Sequence, residues 1–263
     1  MKNAVRYILL ACVAVAIILP LIPLVLTSFS FFWIYPDLMP DWTLRAWEKA
    51  FSQSYLVDAI YYSVLIAVIV TLISFVLGFT AAKAIGTRQF RYKTLLEIFF
   101  MLPILFPTLS LCMGIQLMFL RTPFYGTLTG MILGQIIFAL PYTIFLLSSV
   151  FKSYDIEYEQ QAYSLGASKL DVLFYVTIPA MKNGLMVALM YTFTVSWSQY
   201  LVIAMIGDPL IKTLPVILFS LIGGSNEALA SALSIIFILP AMILLIISSY
   251  IFAHDKWSKE KIR

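Results

Sequence analysis

The chain has 263 residues, of which 62% are hydrophobic and 11% charged, and its mean hydropathy is +0.97. Soluble domains carry about 25% charged residues, so this composition excludes an ordinary soluble domain and predicts a polytopic membrane protein. The net charge of +4 needs no nucleic-acid partner, because membrane topology explains it. Cys12 and Cys112 lie in apolar runs without metal or disulfide spacing, which indicates small buried side chains.

Six nearly uncharged stretches are long enough to cross a bilayer, which takes about 20 helical residues each. They are residues 7–32, 59–82, 98–120, 126–151, 184–206 and 228–253. The first stretch is longer than the core of a signal peptide and ends without a small-residue cleavage site, so we expect a retained helix. The sequence therefore predicts an all-α membrane protein with six transmembrane helices.

Lysine and arginine residues predict the orientation of these helices. Of the 17 positive residues, only Arg45, Lys49, Arg121 and Lys212 fall in loops on one side, and the other thirteen fall on the opposite side. Positive residues concentrate in cytoplasmic loops. Both termini, the loop 83–93 and the segment 153–184 are therefore expected in the cytoplasm. The loop 83–93, with four positive charges, is predicted to be a tight turn on anionic lipid headgroups.

Aromatic residues and prolines add local detail to this topology. The first external loop contains Trp42, Trp47 and Phe51, a pattern typical of an amphipathic helix that anchors the protein at the outer membrane interface. Pro103 and Pro107 each remove a backbone donor from the third stretch, so we expect a kink there.

The fifth stretch is the most polar. Thr192, Ser196, Gln199 and Tyr200 share one helical face at spacing i, i+4, i+7 and i+8, and Trp197 lies beside them. Polar side chains at membrane depth usually face a cavity or another helix. This face is therefore a candidate lining for a translocation route, and interhelical hydrogen bonding is an equally supported alternative.

The sequence carries no pattern typical of a catalytic chain. It has no phosphate-binding loop and no metal-ligand spacing, and its one histidine, His254, cannot complete a catalytic triad. We therefore predict that the chain is not an enzyme, does not hydrolyse ATP and binds no cofactor.

The longest soluble-looking segment, residues 153–184, has the pattern of a helix, a glycine turn and a second helix. Acidic residues at its start suit the positive end of a helix dipole, and Tyr158, Ala162 and Leu165 form one apolar face at i, i+4 and i+7. Gly166 permits the left-handed turn that ends a helix. Pro179 is expected to break the second helix before the next membrane span.

The spacing in this segment resembles the EAA loop of the membrane subunits of ATP-binding-cassette (ABC) importers. In that family a Glu-Ala-Ala triplet precedes a glycine, and an apolar pair and a proline follow at fixed distances. Ala162, Gly166 and Pro179 fall in register, together with Val176 and Ile178. The triplet departs from the family pattern, because Gln160 and Gln161 replace its first two residues and Glu159 lies one place upstream.

The resemblance extends over the whole chain, because the six spans and the segment between helices 4 and 5 match a type I importer permease. It implies an ABC transmembrane domain over residues 58–253, a first helix and external loop over 1–57, and a cytoplasmic tail over 254–263. It also implies a location in the cell inner membrane, a homologous second permease subunit, two ATPase subunits that carry ATP and magnesium, and an extracytoplasmic binding protein.

In the family the segment between helices 4 and 5 is a coupling helix that docks on the ATPase. The residues that the resemblance assigns to this contact are Tyr158, Glu159, Gln160, Ala162, Leu165, Gly166 and Pro179.

For the substrate, the external loop with Trp42, the segment 102–107 and the segment 196–199 look most like permeases for polyamines, thiamine, ferric iron or phosphonates. Asp208 and Glu227, near the predicted outer mouth, suit a cation, so a polyamine-type substrate is the leading hypothesis. Two alternatives come from other classes: a secondary transporter, which would require intramembrane acids, and a membrane-embedded enzyme, which would require a catalytic set.

Overall fold

The computed structural model describes residues 2–31, 33, 41–207, 211–221, 224 and 226–254. Over these residues the regular structure is helical, apart from one isolated antiparallel bridge between Ser30 and Trp42. Within the described residues, five helices are long and apolar enough to cross a membrane, and a sharply bent pair supplies a sixth span if it is counted as one. The predicted all-α membrane fold is therefore confirmed.

The helices follow one another with short connections. In chain order they are α1 Lys2–Ile18, α2 Leu21–Ser28, α3 Arg45–Ser52, α4 Ser54–Thr87, α5 Lys93–Leu105, α6 Thr108–Phe119, α7 Leu128–Lys152, α8 Glu157–Ser164, α9 Lys169–Asp171, α10 Ile178–Trp197, α11 Leu201–Ile206, α12 Leu214–Leu221 and α13 Glu227–His254. A π-helical segment, Val172–Thr177, joins α9 to α10.

The chain divides into two compact units. The first comprises Met1–Tyr61 and Lys212–Met242 and contains the predicted amphipathic helix, α3. The indole of Trp47 stacks on Phe29 with ring centroids 5.7 Å apart, while Trp42 stays exposed. The predicted external helix therefore forms, with one aromatic face packed on its own unit.

The second unit comprises Tyr62–Ile211 and Ile243–Arg263 and is built around α7. One apolar cluster joins α4, α7 and α10 and includes Ala82, Leu147, Phe151, Met181, Leu185 and Ala188. A second joins α6, α7 and α11 and includes Cys112, Ile115, Phe119, Phe138, Val202 and Ile206. At Gly86 an added β-carbon would lie 2.3 Å from the β-carbon of Phe151, so only glycine allows α4 this close to α7.

The first predicted span is interrupted rather than continuous. The helix ends at Ile18 and restarts at Leu21, with Pro20 at the N-cap of the second part, because proline cannot continue the backbone hydrogen bonding of a helix interior. Cys12, on the first part, is exposed, so the expectation that both cysteines are buried holds only for Cys112.

The third predicted span is also broken, and more sharply than a kink. Its two halves, Lys93–Leu105 and Thr108–Phe119, are inclined by 96° to each other. Phe106 is in the extended conformation, which is the conformation that a following proline imposes, and Pro107 is the N-cap of the second half. The break therefore follows from Pro107, whereas Pro103 lies inside the first helix.

The fifth span differs from its prediction at both ends. Pro179 does not break the chain, because helix continues from Lys169 to Trp197. The π-helical segment directly before the proline widens the backbone where a proline ring would otherwise clash with the preceding turn. At the other end the helix stops at Trp197 and restarts at Leu201, so the predicted span 184–206 is two helices.

Two loops are also shorter than predicted. The helix α4 extends to Thr87, so the turn predicted to be cytoplasmic begins at Arg88 and not at Lys83. In the predicted outer loop 207–227, residues Leu214–Leu221 form an apolar helix, with Leu214, Pro215 and Ile217 buried. A run of eight residues with so few polar side chains favours burial over a solvated turn.

Candidate functional site

The helix α8, Glu157–Ser164, carries the family motif and ends as its glycine predicts. Gly166 has φ +89°, its N–H donates to Tyr163 O, and the N–H of Ala167 donates to Ala162 O. This pair of hydrogen bonds is a Schellman motif, which satisfies the last carbonyls of a helix and needs the left-handed conformation that glycine adopts without strain. The turn after α8 is therefore fixed by Gly166.

One face of α8 and its turn is open to solvent. Leu165 is 89% exposed and Tyr158 is 53% exposed, and Gln160 and Gly166 are exposed as well, while Ala162 is half-buried. An exposed apolar side chain such as Leu165 indicates an interaction site when other exposed apolar side chains lie beside it. The sequence predicts this apolar stripe, and within the described residues no other part of the chain covers Tyr158 or Leu165.

Glu159 lies on another face of the helix, about 100° around the axis from Tyr158. Its side chain is buried, and both carboxylate oxygens are 2.7 Å from Lys83 Nζ. The hydroxyl of Thr177 donates to Glu159 Oε1 at 2.7 Å. The carboxylate that the sequence assigned to an ATPase contact is thus directed into its own chain, because helix periodicity turns it away from the exposed stripe.

Burial shifts one titratable group beside α8. It raises the pKa of Tyr154, whose hydroxyl lies beside Thr177 and Glu159 without meeting hydrogen-bond geometry to either. Farther along the motif, Ser168 and Asp171 form a capping box at the start of α9. Pro179, the last residue of the motif, is exposed in the first turn of α10.

The residues of the polar face predicted for α10 lie in two different environments. Thr192 and Thr143 are both fully buried, with their hydroxyl oxygens 2.8 Å apart, and Ser196 donates to Gln135 Oε1. These pairs join α10 to α7. Thr192 and Ser196 therefore follow the packing alternative, as interhelical hydrogen bonds within the bundle, and Trp197 is buried too.

Gln199 and Tyr200 fall outside the helix, because α10 ends at Trp197. Gln199 lines a cleft of about 230 Å³ at the break between α5 and α6. The whole lining is Pro103, Ile104, Thr108, Phe138, Tyr142, Tyr191, Val195, Ser198 and Gln199. These residues offer hydroxyls, one amide and aromatic rings, but no charge, and Tyr200 is not among them.

The same helical spacing, started one residue earlier in the sequence, would have identified residues of the fifth span that line the cleft. Tyr191, Val195 and Ser198 have the same i, i+4, i+7 spacing as the predicted face, but they begin one residue earlier. Tyr142, from α7, meets Tyr191 with ring centroids 5.9 Å apart. Periodicity alone does not say which of two adjacent polar faces meets a neighbouring helix, and of the predicted face only Gln199 lines this cleft.

Of the two acidic residues predicted near the outer mouth, Asp208 lies outside the described residues. Glu227 lines a pocket in the first unit together with Arg45, Lys49 and the aromatic residues Phe31 and Trp33. The guanidinium of Arg45 lies 5.4 Å from the centroid of the Phe31 ring. Glu227 therefore faces a site with two positive charges, which weakens the expectation that this region attracts cations.

Replacement of Thr192 by valine tests the packing role. Thr192→Val keeps the shape of the side chain but removes the hydrogen bond to Thr143, so we expect a loss of about 1 kcal/mol of stability and a lower thermal unfolding midpoint in detergent. Thr194→Val is the matched control, because Thr194 donates only to Met190 O in its own helix. Equal midpoints for the two variants would contradict the interhelical role.

Comparison with known proteins identifies the family. Residues 74–255 match the family described as "Binding-protein-dependent transport system inner membrane component". A putative 2-aminoethylphosphonate transport system permease protein of Salmonella typhimurium, PhnV, is 31% identical over 192 residues, which cover 72% of this chain and 72% of that protein.

The spermidine/putrescine transport system permease protein PotC of Haemophilus influenzae is 22% identical over 95% of this chain and 96% of its own length. The inner membrane ABC transporter permease protein YcjP of Escherichia coli K12 is 26% identical over 64% of this chain, and the match spans 61% of that protein.

A solved structure supports the fold independently. The crystal structure of a bacterial ABC transporter involved in the import of the acidic polysaccharide alginate contains a chain that superimposes with a TM-score of 0.75, covers 95% of both chains and shares 16% sequence identity. At this identity the likeness concerns the fold alone. The family match over residues 74–255, together with the apolar spans, shows that the chain belongs to the family of binding-protein-dependent transport system inner membrane components, as a multi-pass permease subunit of an ABC importer.

Proposed function

We propose that the chain forms half of the translocation pathway of an importer and receives the motion of an ATPase subunit through α8. The observation that carries this proposal is the exposed stripe of Tyr158 and Leu165 on a helix whose neighbouring face is held by the buried Glu159. A helix that is fixed on one side and apolar on the other suits docking into a groove of a partner.

The partners follow from this role. The chain itself has no phosphate-binding loop, so ATP and magnesium are bound by two ATPase subunits, and this chain acts without a catalytic site. A second, homologous permease subunit completes the pathway, and an extracytoplasmic binding protein delivers the solute. The docking stripe faces the cytoplasm, as do both termini. The contact between Lys83 and Glu159 supports this topology, because the two segments that the charge bias assigns to the cytoplasm meet there.

The cleft beside Gln199 is the proposed border of the route. It lies where α5 and α6 break, and discontinuous helices expose backbone groups that substrates of membrane transporters use. Its lining combines the hydroxyls of Tyr142, Tyr191 and Ser198 with aromatic faces and carries no charge. Such a surface binds a polar solute weakly enough to release it, which transport requires.

For the substrate we propose a polyamine-type cation, which the tyrosine rings of the cleft can bind through cation–π contacts. The relative from Haemophilus influenzae is named for spermidine and putrescine and matches nearly the whole chain. A phosphonate is the second candidate, supported by the higher identity to the Salmonella relative and by Arg45 and Lys49 in the pocket of the first unit.

Substitution at Gly166 tests the docking role. Gly166→Asp places a β-carbon at a positive φ, which costs about 1 kcal/mol, and adds a charge that must be desolvated at a buried interface. Because an added β-carbon at this position meets no atom within 4 Å, the variant should fold and insert. We expect it to lose its ATPase, measured as the amount of ATPase that co-purifies with the solubilised chain.

Gly126→Asp is the matched control for this experiment. Gly126 also has a positive φ, +69°, and also has open space around an added β-carbon, but it lies at the start of the predicted span 126–151, at the end predicted to be external. Gly126→Asp should therefore retain the ATPase at the wild-type amount. Retention by Gly166→Asp as well would show that this turn does not dock.

Substitution at Tyr191 tests the route and the substrate together. Tyr191→Leu removes the aromatic face, so we expect roughly five- to tenfold slower uptake of radiolabelled spermidine, whereas Tyr191→Phe keeps the ring and should transport at nearly the wild-type rate. Uptake is measured in cells that lack other polyamine importers. Uptake of 2-aminoethylphosphonate but not spermidine by the wild type would reject the polyamine, and equal uptake by both variants would remove Tyr191 from the route.

A further inference from the structure

We propose that Lys83, Glu159 and Thr177 form a clamp that ties α8 to α4 and α10, so that a load on α8 reaches both transmembrane helices. The inference rests on the proposed function, because the load is that of an ATPase docked on the exposed stripe. It assigns Lys83 and Glu159 a positioning role that the family motif does not predict.

The clamp is a short, partly buried ion pair. Lys83 Nζ lies 2.7 Å from Glu159 Oε1 and 2.7 Å from Oε2, although the two residues are 76 positions apart. The hydroxyl of Thr177 donates to Oε1 at 2.7 Å. Hydrogen bonds that involve a charged donor and a charged acceptor are shorter and stronger than neutral ones, so the carboxylate is held from two directions.

Both partners of Glu159 lie close to the end of a long helix, where a movement of α8 would be transmitted to that helix. Lys83 lies about one turn before the end of α4 at Thr87. Thr177 is the last residue of the π-helical segment, directly before α10. The hydroxyl of Thr194 donates to a carbonyl of α10 itself, whereas that of Thr177 leaves its helix to bind Glu159. The clamp thus joins α8 to the cytoplasmic ends of two helices.

The clamp also accounts for the departure from the family triplet. Successive residues of an α-helix are turned by about 100°, so a glutamate one place upstream points away from the face of the original position. In this chain Gln160 holds that position and is exposed, while Glu159 is 4% exposed. The shift of one residue moves the carboxylate from an exposed position to a buried one.

The two side chains of the ion pair differ in solvent exposure, so removal of one should affect α8 differently from removal of the other. The side chain of Lys83 is 31% exposed and that of Glu159 is 5% exposed. Without Lys83 a buried carboxylate is left without its counter-charge, which is strongly unfavourable. Without Glu159 the lysine can extend its ammonium towards water. The loss of Lys83 should therefore displace α8 more than the loss of Glu159.

Amide hydrogen exchange of the purified chain in lipid nanodiscs measures this asymmetry. We expect the α8 amides of Lys83→Met to exchange roughly tenfold faster or more than those of the wild type, and those of Glu159→Gln to change less. The double variant, which leaves no lone charge, should exchange more slowly than Lys83→Met alone.

Lys152→Met is the matched control for loss of a lysine. Lys152 Nζ lies 4.0 Å from Glu97 Oε1, and the side chain of Lys152 is 57% exposed and that of Glu97 34% exposed, so this long, accessible pair contributes little and the exchange of α8 should not change. Faster exchange throughout α7 and α10 in Lys83→Met would indicate general destabilisation and would overturn the specific positioning of α8.

Transmission is tested by adding the ATPase that co-purifies with the wild type. In the wild-type chain, binding should slow exchange in α8 and in the last two turns of α4. In the Lys83→Met/Glu159→Gln variant, the ATPase should still slow exchange in α8 but no longer in α4. Equal slowing of α4 in both chains would overturn the clamp, whereas no slowing of α8 in the wild type would reject the proposed docking itself.

Discussion

The absence of water in the hydrocarbon core constrains this chain most strongly, because each backbone N–H and C=O there must be paired within the protein. Prolines break that pairing, and at three of them the chain responds in three different ways. At Pro20 the helix stops and restarts. At Pro107 the two halves diverge by 96°, which opens the cleft beside Tyr191. At Pro179 a π-helical segment allows the helix to continue, and its last residue, Thr177, binds Glu159. Two of the three accommodations thus coincide with the sites to which we assign function.

The helix α8 is too short to be stable alone in water. It is held by the Schellman turn at Gly166, by the buried carboxylate of Glu159 and by contact with the π-helical segment. These interactions occupy one side of the helix and leave the stripe of Tyr158 and Leu165 exposed. A docking element needs both an attached side and an exposed stripe, since a helix without fixed attachments would move by itself and would not transmit the motion of its partner.

The sequence predicted the elements that depend on local chemistry. Hydropathy located the spans, the spacing around Gly166 located α8 and its turn, and the aromatic residues near Trp47 located α3. It did not predict features set by contacts between distant residues. The inward direction of Glu159 depends on Lys83, 76 positions away, and the burial of Thr192 depends on Thr143 in another helix. Proline chemistry indicated where backbone pairing would fail, but packing decided whether the helix bent, stopped or widened.

The central claim is that the exposed stripe of α8 is an ATPase-docking surface on the cytoplasmic side. The most direct measurement is labelling of Leu165→Cys with a membrane-impermeant maleimide, in a chain whose Cys12 and Cys112 are replaced by alanine, with Trp42→Cys as the control for the external side. We predict that Leu165→Cys reacts in inverted vesicles only and that the co-purifying ATPase blocks this reaction. Trp42→Cys should react in right-side-out vesicles and be unaffected by the ATPase. Labelling of Leu165→Cys from outside, or at an unchanged rate with the ATPase bound, would contradict the account.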